Sequence, residues 1–280
     1  MLRFARTYRP ATQIFFHNGP MNTVMLFNIP IRNVSLLEGL TTIKGCLLQQ
    51  NQSRIFFVNA HCVNAAQNDP EYLKILRGGT HVFADGVGMR VASLLFGRPL
   101  VGNVNGTDLY PLLCEALEGT GIRIFLLGSE PGVVEEVRRR ALRQYPALAI
   151  CGIHHGHFAE GDRDLVVAAI RDAGTDLLLV GMGVPRQEKW VAENLGATRA
   201  KVALGVGGLF DVYSGKVWRP PMLMRRLGLE WFGRLIPGRG EPRRLWRRYL
   251  LGNFRFLWLA LRLGLRERRR SRTHPAGAVL

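Results

Sequence analysis

Asp176-Leu177-Leu178-Leu179-Val180 runs directly into Gly181-Met182-Gly183-Val184-Pro185-Arg186-Gln187-Glu188-Lys189-Trp190. An aliphatic run bounded by Asp and Gly reads as a buried strand of a parallel sheet. The glycines at 181 and 183 let the chain turn tightly, and Pro185 pre-sets φ for the first turn of a helix. This places a helix N-terminus, with its unpaired N–H groups and positive dipole end, at the carboxyl end of a strand. A diphosphate is stabilised at such a point. Gln187 and Glu188, just after the turn, can hydrogen-bond a polyhydroxylated ligand. An ordinary strand–helix turn with a solvated first turn satisfies the same spacing, so the stretch decides the fold class and leaves its chemistry open.

Similar units repeat on either side. Strands are expected at Val24–Phe27, Ile55–Val58, His81–Ala84, Arg123–Leu127, Ala147–Gly152, Asp176–Val180 and Lys201–Val206. Helical patterns lie near Leu36–Gln49, His61–Leu76, Gly86–Leu95, Thr107–Leu117, Pro131–Gln144, Arg163–Asp172 and Arg186–Leu195. The alternation predicts an α/β fold, a mostly parallel Rossmann-like sheet covered by helices on both faces. Right-handed crossovers then bring the strand-to-helix loops to one edge, where open α/β sheets bind ligands. Asn59, Ser129, Asp85, His154, Gly183 and Asp211 all follow strand ends and are expected on that edge.

The charge is uneven. The 280 residues carry a net +17, but residues 1–215 hold 21 Lys and Arg against 18 Asp and Glu, and residues 216–280 hold 17 against 3. The basic character belongs to the tail. Projected at 100° per residue, Arg244, Arg248, Arg255, Arg262 and Arg266 fall within about 40° of one another. Leu250, Phe254, Leu257, Trp258, Leu261 and Leu265 lie away from that stripe. Such a basic amphipathic helix has the composition of an element that lies on an anionic membrane surface. A solvated helix packed on the α/β domain has the same pattern, and the charge also suits nucleic acid, although no nucleic-acid-binding module accompanies it.

This reading divides the chain into a flexible extension (1–20), an α/β domain (21–215), a basic amphipathic helical appendage (216–272) and a disordered tail (273–280). Removal of the chain beyond about Gly215 is expected to leave a more soluble domain. Cys46, Cys62, Cys114 and Cys151 show no paired spacing, which suits a reducing cytoplasm. No secretory leader is expected, because Met1 to Pro20 lacks a long apolar stretch and a small-residue cleavage site, and no spanning helix is expected, because no run of about 18 apolar residues occurs,.

Several motifs, in order, resemble those of the WecG/TagA/CpsF bacterial glycosyltransferases. GMGVPRQEKW (181–190) is similar to that family's G-x-G-x-P-x-Q-E-x-W. Phe57–His61 resembles its first substrate loop, Ala84–Gly88 its D-G-x-G element, Asn105–Leu109 its G-x-D-L element and Gly205–Asp211 its G-V-G-G-x-F-D element. Gly228–Phe232 with Glu241–Arg244 is similar to its C-terminal G-L-E-W…E-P-R-R. The likeness runs from about residue 22 to about residue 250.

The resemblance implies an inverting transfer of a hexose or N-acetylhexosamine from a UDP-sugar to a polyprenyl-diphosphate-linked acceptor. The enzyme would be peripheral on the cytoplasmic face of the cell membrane, and self-association is implied too. Asp85 would be the catalytic base. By its residue type and position alone, Asp85 reads first as the cap of the helix that starts at Gly86 and only then as a base. Asn59, His61, Asn103, Gly183, Gln187 and Asp211 would bind substrate, and Arg234, Arg244 and Arg247 would close over the donor and neutralise the leaving diphosphate.

Three positions depart from the family pattern. Asn59 and His61 stand where Thr and Asn are common, and Asn103 stands where several relatives carry Arg. Pro237–Gly240 is an insertion that shifts the later arginines. Cys151, His154, His155 and His157 invite a metal, but no second pair of ligands accompanies them. With no Asp-x-Asp for a divalent ion either, the expectation is metal-independent chemistry with arginines as counter-charges and no cofactor. Two other functions compete: a nucleotide-dependent oxidoreductase, disfavoured because no G-x-G-x-x-G follows the first strand, and a membrane-bound partner that binds sugar nucleotide without turnover.

Overall fold

A computed structural model describes residues 22–221, 224 and 251–273. In chain order the elements are β1 (Thr23–Leu26), β2 (Ile29–Arg32), α1 (Leu36–Leu47), β3 (Ser53–Val58), α2 (Ala60–Ala66), α3 (Pro70–Arg77), β4 (His81–Ala84), α4 (Val87–Leu95) and α5 (Gly106–Leu117). There follow β5 (Ile124–Gly128), α6 (Val133–Gln144), β6 (Ile150–His154), α7 (Arg163–Asp172), β7 (Leu177–Gly181), α8 (Arg186–Thr198), β8 (Val202–Gly205), α9 (Leu209–Tyr213) and α10 (Gly252–Thr273). The aliphatic run at 177 is β7, buried along its whole length.

The strands form one sheet in the order β1-β2-β4-β3-β8-β7-β5-β6, parallel except for the β1–β2 hairpin. Alternating side chains feed two layers, as the period of a strand requires. Phe56 and Val58 of β3, Phe125 and Leu127 of β5, and Leu178 and Val180 of β7 pack with α2, α3, α4, α7, α8 and α10. Ile55, Phe57, Ile124, Leu126, Leu177 and Leu179 pack with α1, α5, α6 and α9 on the other face.

The expected strand at 24–27 is β1, but β2 is an addition that the sequence reading lacked. Phe27 and Asn28 both have positive φ (54° and 62°) and close a two-residue hairpin,. Pro30 within the strand and a turn without glycine hid it. The helix expected over 61–76 is two: Asp69 accepts a hydrogen bond from the Tyr72 backbone N–H, and Pro70 opens α3,. Pro185 sits one residue before α8 rather than inside its first turn.

The expected boundary near 215 does not separate packing units. Phe256 and Ala260 of α10 are buried in the same core as α2 and α4, and the Phe256 ring lies 5.3 Å from that of Phe27. Asn64 donates to the Gly252 carbonyl (2.7 Å), and Arg255 donates to the Asn68 side chain (2.9 Å). Removing α10 strips cover from the core layer, so a more soluble truncated domain is not what this packing gives. Residues 1–21, and the chain between 221 and 251 other than residue 224, fall outside the described residues, as do 274–280.

Candidate active site

The chain leaves β3 and β4 towards the layer of α2 and α4, but leaves the adjacent β8 towards α9 on the opposite face. Neighbouring strands whose connections diverge open a crevice at their carboxyl ends. A pocket of about 810 Å³ lies there. Its walls come from the loops after β3 (Asn59, Ala60, His61), β4 (Asp85–Gly88), β7 (Gly183, Val184, Gln187) and β8 (Gly205–Leu209), and from Asn103, Gly106 and the first turns of α10.

Six of the expected site residues therefore converge with Asp85 or include it: Asn59, His61, Asp85, Asn103, Gly183 and Gln187. Asn59 is the N-cap of α2, its Oδ1 accepting from the backbone N–H groups of His61 and Cys62 (3.0 and 3.2 Å). Its Nδ2 donates to Asp85 Oδ2 at 3.3 Å. One amide thus fixes the start of a helix and orients the carboxylate. Asp85 is anchored by its own backbone N–H on the Val58 carbonyl (2.8 Å). The residue before the first turn of α4 is Gly86, which makes no side-chain cap. Asn103 Oδ1 accepts from the Gly86 N–H at 2.6 Å and so pins the turn that carries Asp85. Asn103, which stands where several relatives carry Arg, thus braces the backbone at the pocket wall.

Gln187 and Glu188 part company. Gln187 Oε1 accepts from the Gly207 N–H (2.9 Å), and its Nε2 donates to Glu188 Oε1 (2.8 Å). The amide is thereby locked in one orientation at the pocket wall. Glu188, expected to contact ligand, instead lies fully buried behind Gln187, because α8 turns its side chain into the core. Its Oε2 has no hydrogen-bond partner among the described residues, and burial pushes its carboxyl up to about 7. Gly183 has φ +80° and open space where a Cβ would stand, so the backbone there is free to approach a ligand closely,.

Asp211 lies outside the pocket lining. Its Oδ1 accepts from Ser129 Oγ at 2.5 Å, joining the loop after β5 to α9 beside the crevice. His154, expected after a strand end, is instead the last residue of β6 at the far edge of the sheet, its ring tilted against that of His155 (4.6 Å between centroids). Among the described residues no group of three His, Cys, Asp or Glu is placed to hold a metal ion. Arg234, Arg244 and Arg247 lie outside the described residues.

The sequence reading missed the part of the wall built by Val87 and Val91 of α4 and by Gly252, Phe254 and Leu257 of α10. The apolar stripe of α10 was visible in the sequence. Its return to the pocket, roughly 170 residues after Asp85, left no local signal.

A family model described as glycosyl transferase WecG/TagA/CpsF matches residues 24–270. The chain is 33% identical over 217 residues to an N-acetylglucosaminyldiphosphoundecaprenol N-acetyl-beta-D-mannosaminyltransferase of Bacillus subtilis (strain 168), covering 77% of this chain and 84% of that protein. It is 28% identical over 215 residues to a protein of the same name from Staphylococcus aureus (strain NCTC 8325), covering 76% and 84%.

Proposed function

Because the chain belongs to the WecG/TagA/CpsF family of glycosyltransferases, we propose that it moves a hexose or N-acetylhexosamine from a UDP-sugar to an N-acetylglucosamine carried on a polyprenyl diphosphate, with inversion. The relatives' names support the acceptor: they act on N-acetylglucosaminyldiphosphoundecaprenol. The donor and the inversion rest on the family likeness and on Asp85, the one carboxylate among the described residues of the pocket lining.

In this reading Asp85 accepts the proton of the acceptor hydroxyl as its oxygen attacks the anomeric carbon from the face opposite the nucleotide. The bond from that carbon to the diphosphate oxygen breaks, and its electron pair leaves with UDP. Asn59 holds the carboxylate in register for the attack. The glycine turn at Gly183 and the N-terminus of α8 receive the leaving diphosphate, and Gln187 fixes the donor at the wall,. Arg234, Arg244 and Arg247 complete the counter-charge in place of a metal.

The basic and apolar faces of α10 hold the enzyme peripherally on the membrane that carries the acceptor. No described helix is long and apolar enough to cross a membrane.

The observation that carries the reading is the meeting of Asp85, Asn59, Gly183 and Gln187 in one pocket at the divergence of β3 and β8. Full-length protein incubated with a panel of UDP-sugars and N-acetylglucosaminyl-diphosphopolyprenol tests it. Acceptor-dependent UDP release with one favoured donor is expected. Donor binding without UDP release across the panel would make the protein a binding partner rather than a catalyst.

A further inference from the structure

α4 and α10 run side by side in the same direction. Gly88 faces the Phe256 ring, and one turn-pair further on Gly264 faces the Leu95 carbonyl, so closely that a Cβ at 264 would stand 2.7 Å from that oxygen. Both helices start at the pocket. Both also carry an exposed apolar stripe that starts there. On α4 it is Val87, Val91 and Leu94; on α10 it is Phe254, Leu257, Trp258, Leu261 and Leu265, with Phe254 74% and Trp258 54% exposed. Spacings of three and four residues, with Leu257 and Trp258 side by side, keep each set on one side of its helix,. Val87, Val91, Phe254 and Leu257 line the pocket that holds Asp85, so the stripes extend its apolar wall outward. From 254 to 265 the stripe covers about 16 Å of helix.

We propose that this paired α4/α10 stripe binds the first isoprene units of the acceptor's own lipid chain. The proposal rests on the function proposed above and adds a binding site to it. The reacting sugar, the diphosphate and the isoprenoid follow one another along an acceptor in that order. Asp85, the uncapped start of α4 at Gly86, and the Val87–Val91–Leu94 stripe follow one another along this wall in the same order. A bilayer surface has no reason to reach into the pocket, whereas a chain bonded to the acceptor diphosphate must leave it somewhere. The wall that leads out is apolar. Phe256 and Ala260, on a separate face of α10, secure the helix to the core, so the stripe is held in place without using its own side chains.

The test uses full-length protein without vesicles and compares N-acetylglucosaminyl-diphosphate acceptors bearing geranyl and geranylgeranyl chains. The longer chain should lower KM at least tenfold with little change in kcat. In the double variant Leu94→Asn, Leu261→Asn, both positions being exposed, that advantage should vanish while UDP-sugar affinity stays that of the wild type. Binding is followed independently by a blue shift of Trp258 fluorescence, expected with the longer chain and absent in Trp258→Phe. Equal KM for both acceptors in the wild type, with no Trp258 shift, would overturn the proposal. So would a double variant that loses vesicle binding but keeps its preference for the longer chain, which would make the stripe a membrane contact alone. A chain-length-dependent Trp258 shift without UDP release from any donor would overturn the proposed reaction and leave the lipid subsite standing.

Discussion

Asn59 shows how much a single residue settles here. Its carbonyl oxygen caps α2 and its amide nitrogen meets Asp85, so the loop after β3 and the carboxylate after β4 are set by one side chain. Residue types and spacing pointed to Gln187 and Gly183, and the family resemblance to Asp85; neither told which of two neighbours faces the ligand. Gln187 lies at the wall and Glu188 behind it, a distinction made by the rotation of α8 over β7 and β8 and not by local sequence. Glu188 carries a testable consequence. Its ordinary value of 4.5 is raised to about 7, chiefly by burial, so the folded protein holds this proton more tightly than the unfolded chain,. Stability from this group is full below about pH 4.5, falls as pH rises towards 7, and above that the buried charge costs on the order of 3 kcal/mol. Glu188→Gln should therefore flatten the pH dependence of urea unfolding between about pH 5 and 8. A variant whose stability follows pH with the wild-type slope would mean that this carboxyl is not held protonated.

At the scale of elements, most of what repeats was legible and most of what is singular was not. β3 to β8 and the helices between them announced themselves by alternating aliphatic runs and capped helical patterns, whereas the short α9 after β8 did not. β2 did not, since Pro30 argues against a strand, and the break at Asp69-Pro70 was absorbed into a longer helical pattern. α10 was read with two faces, basic and apolar. It has three: Arg255 and Arg262 exposed, Phe254 to Leu265 exposed and apolar, and Phe256, Leu259, Ala260 and Leu263 turned to the core. A helical projection groups apolar residues without saying which of them find a partner. Because Phe256 is buried and rests on Phe27, Phe256→Ala should lower unfolding stability by about 3–5 kcal/mol,. A loss under about 1 kcal/mol in denaturant titration would show that α10 is not part of the cooperative core.

For the whole molecule, the sheet supplies the site through its topology. β3 and β8 are adjacent and send their chains to opposite faces, and the loops expected on one edge divide accordingly: Asn59, Asp85 and Gly183 share the crevice, Ser129 and Asp211 pair beside it, and His154 stands apart. The order of strands that makes this division is a long-range property, beyond the reach of periodicity. Charge is divided too, with 17 Lys and Arg against 3 Asp and Glu beyond residue 215. Binding of the full chain to vesicles rich in anionic lipid should fall as salt rises and shortens the screening length, yet level off above zero because the apolar contact persists. Vesicle sedimentation that shows no dependence on salt would remove the charge from the interaction.

The claim that these parts serve is that Asp85 takes the acceptor's proton. Turnover of Asp85→Asn against wild type, measured as acceptor-dependent UDP release at saturating donor, tests it most directly. Asparagine keeps the size of the side chain and a hydrogen-bonding partner for Asn59 but cannot act as the base. The account predicts a fall in kcat of about 100-fold or more with donor affinity changed only a few-fold. Near-normal turnover by Asp85→Asn would contradict it.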